Sequence, residues 1–289
     1  MPVAAVLGWP LAHTLSPQLH EAAYRAAGLH GWRYEARPTR PEELPAALGL
    51  VRSGELAGVN LTTPHKEAAV PLVDRLEPPA DALGAVNTVW PAGGGLVGGN
   101  TDVAGALWAL DHQLGLAGAT WDGTGPAVLL GTGGAALAVA FAWARLAEAR
   151  AGQGRPASPL TVAGRDPARV ALVACLAGPG TLARGWPAAE DLVARARVVV
   201  QATTLTSRGE PVPGQGRLRP GVRLLDLNYG PRAQGLVAAA HAAGAAAAAD
   251  GLGMLCAQAA AAVARHTGAL ADLAAMAAAV GLTLPPALG

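Results

Sequence analysis

Charge is scarce in this sequence: Lys, Arg, Asp and Glu make up 14% of 289 residues, and the formal net charge is +1 at pH 7. Charges so sparse and balanced create no long-range field of one sign. No run of Lys or Arg forms the footprint of a nucleic-acid or anionic-membrane partner. Neither partner is expected, and a small molecule fits better. Cysteine is almost absent as well. Cys175 and Cys256 stand far apart, flanked by apolar residues and outside any CxxC or Cys/His spacing. That predicts two buried thiols in a reducing compartment, with no disulfide and no metal site. Met1 to Gly8 lacks a basic stretch followed by an apolar one, so it reads as a first strand and not as a signal peptide. The Ala-rich tract from Leu236 to Ala264 is interrupted by His241, Asp250 and Gln258, and Ala is too weakly apolar to make it a membrane span. A cytoplasmic location is expected.

What the chain does have is apolar content, 52% of its residues, enough to bury a sizeable core in one or two domains. The first third alternates short β-branched runs with helical stretches. Strands are predicted at Val3 to Leu7, Trp32 to Ala36 and Gly58 to Leu61, and helices at Ser16 to Ala27 and Pro41 to Arg52. This is the βαβ rhythm of a mostly parallel sheet. Ser16-Pro17 is a helix-start signal, with Ser as the expected cap and Pro at the first helical position. Val86 to Trp90 and Gly95 to Asn100 read as strands joined by a Gly-rich turn, and a helix is predicted from about Val103 to Leu114. A second series of strands follows at Ala127 to Leu130, Leu160 to Ala163, Val198 to Ala202 and Val222 to Leu227. Ala149 to Ser158 reads as a lengthened surface loop without structural purpose, and the Ala repeats near Ala242 to Ala249 as compositional bias.

The strand ending at Leu130 runs directly into Gly131-Thr132-Gly133-Gly134-Ala135-Ala136, and a helical pattern comes next. In a dinucleotide site Gly131 would permit the tight turn, Gly133 would let the backbone approach a pyrophosphate, and Ala136 would allow close helix packing. The helix N-terminus, at Gly134 and Ala135, would add amides and the positive end of its dipole. An ordinary Gly-rich βα turn is the alternative. The next strand ends Gly164-Arg165-Asp166, where an NAD site usually has an acidic residue for the ribose. Arg165, with Arg169 one turn later, suits a 2′-phosphate, so NADP (NADPH) is favoured and NAD is disfavoured. Asp166 would repel that phosphate if it pointed there. Capping the helix that starts at Pro167 is the preferred reading of Asp166.

Three polar clusters lie at predicted strand ends: Thr14 with Ser16, Asn60 to Lys66, and Asn87-Thr88 with Asn100-Thr101-Asp102. Amides and hydroxyls both donate and accept, so together they could read the hydroxyls of a small polyol, while a Lys and a carboxylate share proton-transfer work. Each cluster alone is also ordinary turn chemistry. Lys66 could be a solvated helix residue, and Asp102 could cap the helix beginning near Val103.

Taken together, these strings resemble the shikimate dehydrogenase family (shikimate/quinate dehydrogenases) over nearly the full length. They are Gly8-Trp9-Pro10 with His13 to Pro17, Asn60 to Lys66, Gly84 to Thr88, Gly99 to Asp102, Gly131 to Ala136, and Asp250 to Leu255 with Gln258. The resemblance implies a two-domain α/β fold, an N-terminal α/β substrate domain plus a Rossmann-type NADP-binding domain. Residues 1–102 and 252–289 would form the substrate-binding catalytic domain, and 103–251 the NADP-binding domain. It implies Lys66 and Asp102 as the catalytic pair, and Asn87, Thr62 and Gln258 as ligands of ring hydroxyls. Thr14 and Ser16, helped by Tyr229, would hold the substrate carboxylate. Thr203 would contact the cofactor, and Gly251 and Met254 would line the nicotinamide pocket. The implied reaction is NADPH-dependent reduction of 3-dehydroshikimate to shikimate, in the pathway to aromatic amino acids, by a monomer or homodimer. Two relatives stay open, a broad quinate/shikimate or aminoshikimate dehydrogenase and a catalytically silent shikimate/quinate sensor.

The chain departs from the family pattern in places. Thr14 stands where Ser is usual, which leaves shikimate versus quinate undecided. Gln201-Ala202-Thr203-Thr204 replaces Asn-Ala-Thr-Ser, with Leu205 and Thr206 where Gly is usual. Gln234 replaces a Thr, and Val263 and His266 replace aromatics, changes that read as packing swaps. His65, beside Lys66, stands where an apolar or aromatic side chain is common.

Overall fold

The computed structural model describes residues 1–11, 14–118, 121–231 and 233–284. His13 of the sequence pattern and residues 285–289 of the expected catalytic segment lie outside the described residues. The chain divides into two compact units, Met1–Gly105 with Leu255–Leu284, and Ala106–Met254.

The first unit is built on a six-stranded sheet of β1 (Val3–Gly8), β2 (Arg33–Pro38), β3 (Gly58–Leu61), β4 (Arg75–Leu76), β5 (Thr88–Ala92) and β6 (Gly95–Gly99), in the order β2-β1-β3-β5-β6-β4. β1, Val-Ala-Ala-Val-Leu-Gly, pairs in parallel with β2 and β3 on either side. β5 runs antiparallel to both its neighbours. Its pairing with β6 has a local reason: Gly93 and Gly94 both take positive φ, at 61° and 82°, in a two-residue turn whose twist suits a hairpin. On one face α2 (Leu44–Arg52, after α1, Ser16–Ala26) sets Leu44, Leu48 and Val51 against Val59, Val89 and Leu96. On the other, Leu19, Ala23 and Tyr24 of α1 pack with Ala4 and Val6 and with Cys256, Val263 and Met276 from the C-terminal helices. The short helices α3 (His65–Ala68) and α4 (Ala80–Leu83) follow β3 and β4, and α5 (Asp102–Trp108) follows β6.

The second unit holds β7 (Ala127–Leu130), α6 (Gly134–Gly152), β8 (Leu160–Gly164), α7 (Pro167–Leu176), β9 (Leu182–Gly185), α8 (Ala189–Arg195), β10 (Val198–Gln201), β11 (Arg223–Asp226), α9 (Gln234–Ala242) and β12 (Ala247–Asp250). All six strands are parallel, in the order β12-β11-β10-β7-β8-β9. β7, β8 and β10 are buried along their whole length, as expected of parallel strands covered on both faces. The order reverses between β7 and β10, so the carboxyl ends of those strands form the switch point at which such sheets bind ligands. From β12 the chain continues into α10 (Leu252–Thr267) and α11 (Leu273–Ala279).

Several local expectations are corrected. Ser16 does not cap α1: the helix begins at Ser16 itself, Leu15 is the cap residue, and Ser16 hydrogen bonds to Thr14 instead. Cys256 is buried, but Cys175 is exposed on α7. The strand expected from Val86 starts only at Thr88; the Val86 amide donates to the Lys66 carbonyl, outside the sheet. The region 149–158 has a structural purpose: α6 extends through Gly152, and buried Arg150 donates to the carbonyls of Leu116, Trp121 and Pro156. The Ala-rich stretch contributes edge strand β12. Its residues offered no β-branched signal to read. Among the described residues no helix is long and apolar enough to cross a membrane.

Two buried histidines set an acid limit on this fold. The His20 ring stacks on Tyr34 at 3.7 Å between centroids, and His266 fills the space beside Gly58, where an added Cβ would collide with its ring. Burial, helped by the neighbouring His266, lowers His20 to about 3, and burial lowers His266 to about 4. Both imidazoles are therefore neutral in the folded protein, whereas the unfolded chain takes up protons below its ordinary value of 6.5. Stability is fully present above that value and is lost as pH falls toward the folded values. The melting temperature is expected to drop between pH 6.5 and 5, and less steeply in His266→Leu; an unchanged slope in that variant would contradict the assignment.

Candidate functional site

In the first unit, a lysine and a carboxylate separated by 36 residues meet. Lys66 sits on α3, one turn after β3, and Asp102 opens α5 directly after β6. Lys66 Nζ donates to Asp102 Oδ2 at 2.6 Å, and their side chains are only 17% and 10% exposed. Asp102 thus does not cap its helix, and Lys66 is not a solvated helix residue. The other carboxylate oxygen, Oδ1, accepts from Asn87 Nδ2 at 2.9 Å.

Asn87 is the hub of the cluster. Its Oδ1 accepts from the Thr101 amide at 2.7 Å and from Thr88 Oγ1 at 2.9 Å. A backbone N–H can only donate, so this contact fixes which end of the amide is oxygen and turns Nδ2 toward Asp102. Gln258 of α10 joins the cluster, with Oε1 3.4 Å from Asn87 Nδ2 and 3.3 Å from Thr101 Oγ1. Behind it, Tyr34 donates to Asn60 Oδ1 at 2.7 Å, and Asn60 Nδ2 donates to Thr88 Oγ1 at 3.0 Å. His65 is buried, and its Nε2 donates to the Thr39 carbonyl at 2.8 Å. That bond anchors the first turn of α3, and with it the start of the Lys66 side chain. Thr62 stands one residue beyond β3, against Gly8, whose missing side chain leaves it room. Thr14 and Ser16 pair with each other through their hydroxyls at 3.1 Å.

In the second unit, an open cavity of about 360 Å³ lies at the switch point, lined by the Gly131-Thr132-Gly133 turn, Gly164 to Asp166, Trp186, Ala202 to Leu205, Arg208 and Glu210. Gly131 has φ of 110°, and an added Cβ would stand 2.8 Å from the Ala202 carbonyl oxygen. Gly133 faces open space, and it precedes α6 without any side chain capping the helix amides. Ala136 is fully buried where close packing was expected. Asp166 accepts from the Ala168 and Arg169 amides, so it caps α7 as the sequence suggested. Arg169 donates to the Thr132 carbonyl at 3.0 Å, which braces the Gly-rich turn.

The structure therefore brings Lys66, Asp102, Asn87 and Gln258 into one hydrogen-bonded cluster, and Gly131, Gly133, Gly164, Arg165 and Thr203 around one cavity. Gly134 and Ala135 open α6, while Gly251 precedes α10 and Met254 lies in its first turn; these four and Arg169 are not lining residues of that cavity. Tyr229 belongs to the second unit, three residues beyond β11. Sequence reasoning missed Thr101, Thr88 and Asn60 as individual members, although each lay in a polar string it had marked. It also missed Trp186, Arg208 and Glu210, which carry no motif.

Comparison with known proteins gives a consistent picture. A model of the shikimate dehydrogenase substrate binding domain matches residues 6–89, and one of the shikimate 5′-dehydrogenase C-terminal domain matches residues 251–280. The shikimate dehydrogenase (NADP(+)) of Citrifermentans bemidjiense is 39% identical over 273 residues, covering 93% of this chain and 90% of that protein. The corresponding protein of Rhodospirillum rubrum is 41% identical over 263 residues, covering 88% and 87%. The crystal structure of shikimate 5-dehydrogenase from Thermus thermophilus in complex with NADP(H) and shikimate is 37% identical, with a TM-score of 0.77, covering 97% of this chain and 99% of that one.

The Asn87 hub makes a stability prediction. Asn87→Leu keeps the volume but leaves the Thr101 amide and Asp102 Oδ1 without a partner, which should cost about 1–3 kcal/mol of unfolding free energy. Urea denaturation of the variant measures this; a midpoint equal to that of the parent would show that the network does not hold the site together.

Proposed function

The chain belongs to the shikimate dehydrogenase family, and we propose from that premise that it reduces 3-dehydroshikimate to shikimate, reversibly, with NADPH. The observation that carries the reading is the 2.6 Å Lys66–Asp102 pair, shielded from solvent and braced by Asn87. Such a pair has a use in carbonyl reduction. Bound NADPH supplies the hydride that adds to C3. As it adds, negative charge develops on the carbonyl oxygen, and the Lys66 ammonium can stabilise that charge by hydrogen bonding and then deliver its proton. Asp102 keeps the ammonium oriented through Oδ2, while Asn87 occupies Oδ1 and prevents the carboxylate from rotating away. In the reverse direction Lys66 takes the proton from the C3 hydroxyl.

Substrate positioning is assigned to side chains that read hydroxyls and a carboxylate. Asn87, Thr62 and Gln258 would meet the ring hydroxyls, and the paired hydroxyls of Thr14 and Ser16 the carboxylate, fixing the ring relative to Lys66. The groups around the second unit's cavity fit NADP. Gly133 leaves its backbone open, the α6 amides have no competing cap, and α6 is long enough for its dipole to matter to a pyrophosphate. Arg165 has no hydrogen bond or ion pair to a described residue, so its guanidinium is available to a 2′-phosphate. Asp166 is occupied by the α7 amides and is held back from opposing it. The free thiol of exposed Cys175 suits a reducing, cytoplasmic setting. We assign the working form as a monomer or homodimer.

Two measurements test this reading. Lys66→Ala should lower kcat for NADP⁺ reduction by shikimate by about 10²–10⁴-fold, with shikimate binding largely retained. Comparable turnover in the variant would remove Lys66 from the mechanism. Arg165→Ala should weaken NADP⁺ binding by about tenfold or more while leaving NAD⁺ nearly unchanged, the signature of a lost charge-assisted contact to phosphate. Equal losses for both nucleotides would show that the side chain does not read the 2′-phosphate.

A further inference from the structure

One wall of the cavity in the second unit is the irregular segment Ala202 to Leu205. Its first residue is tied to the sheet, since the Ala202 amide donates to the Leu130 carbonyl at 2.8 Å. Beyond it the Thr204 and Leu205 carbonyls accept from the Arg208 and Glu210 amides, while Thr203 itself is held by side chains. The Thr203 amide donates to Gln201 Oε1 at 2.7 Å. The Thr203 carbonyl accepts from Asn228 Nδ2 at 2.8 Å and from Gln201 Nε2 at 3.3 Å. Asn228 Nδ2 also donates to Thr206 Oγ1 at 2.8 Å and to Asp226 Oδ1 at 3.0 Å.

Thr206 is almost wholly buried, and Gln201 and Asp226 are wholly so. Since Thr206 Oγ1 accepts from Asn228, its own proton is free for the Asp226 carboxylate. Burial raises the Asp226 carboxyl above the usual range, and hydrogen bonds from Thr206 and Asn228 act against that rise. The four side chains, with Asn228 half-buried and the other three buried, close a polar clamp between the ends of β10 and β11. Gln201 and Thr206 stand where the resemblance to the family leads one to expect Asn and Gly. Here the departures form one device. A glycine at 206 would have left Asn228 Nδ2 without that acceptor.

We propose that Thr206 and Asn228 are positioning residues that hold the 203–205 wall in the shape that receives the cofactor, so that a hydroxyl at position 206 sets NADP affinity in this protein. The inference rests on the reading of this cavity as the NADP site. The clamp is bonded to the wall of the cavity, so its effect should fall on the cofactor and leave shikimate recognition alone.

The test compares Thr206→Val, which keeps the shape and loses the hydroxyl, with Thr206→Ser, which keeps the hydroxyl. Kd for NADP⁺ is read by titration calorimetry, KM for each substrate from shikimate oxidation, and Tm for each variant. Loss of one buried hydrogen bond predicts a Kd for NADP⁺ about 3–10-fold higher in Thr206→Val, and within about twofold of the parent in Thr206→Ser. The shikimate KM should not move. Should Thr206→Val fail to fold, Asn228→Ala gives the same readout by removing the donor. Parental NADP⁺ affinity in the folded Val variant, or a parallel rise in both KM values, overturns the positioning role. A parent that does not bind NADP⁺ at all overturns the functional reading and this inference with it.

Discussion

Asn87 spends its single carboxamide in two directions, and the first unit's polar cluster depends on that division. Its oxygen is claimed by a backbone amide that cannot do anything but donate, and its nitrogen is thereby committed to the carboxylate of Asp102. One carboxylate oxygen is then occupied, and the other is left to Lys66. An ion pair sheltered from water would cost more in desolvation than it returned if its remaining lone pairs went unmet. Here Asn87 meets them, and Gln258 and Thr101 close the surround. The result is a Lys66 side chain that is oriented and partly shielded, and preorganisation of that kind is the condition for stabilising a developing alkoxide without reorganisation.

The second unit solves a different problem with backbone geometry. Its all-parallel sheet reverses strand order between β7 and β10, and that reversal opens a crevice at their carboxyl ends. The Gly131 to Gly133 turn exposes helix amides there, and Gly131 lies too close to the Ala202 carbonyl to accept a side chain. Charge is then arranged by subtraction. Asp166 is drawn onto the α7 amides and Arg169 onto the Thr132 carbonyl, while Arg165, which lines the cavity, makes no hydrogen bond or ion pair to a described residue. The opposite wall is held at Thr203 by the Gln201 and Asn228 amides, with Thr206 beside them.

The legible parts of this protein are those written in local pattern. Strands β1, β3 and β7 follow from short apolar runs bounded by turn residues, and the Gly131 turn follows from its place between a strand and a helix. The Lys66–Asp102 pair was legible as residue types at strand ends, because such ends are where this fold class collects polar groups. Other features lay beyond local reading for physical reasons. β12 is built almost wholly of Ala, and its strand state comes from pairing with β11, which no propensity reports. Ser16 carried a capping signal that lost to Thr14, two residues away, whose hydroxyl takes the Ser16 amide. Cys175 looked buried by its apolar neighbours, yet it lies on the outer face of α7. Trp186, Arg208 and Glu210 reach the cavity only through the tertiary fold, so no spacing in the chain announces them.

If the ammonium and the carboxylate act as one unit, their removal cannot be counted twice. A double-mutant cycle on kcat for shikimate oxidation, with Lys66→Ala, Asp102→Ala and the pair together, measures this directly. The account predicts that the double variant is about as slow as the slower single variant, a strongly non-additive result. Losses that simply multiply would mean that the two side chains act independently, and the central claim would fall.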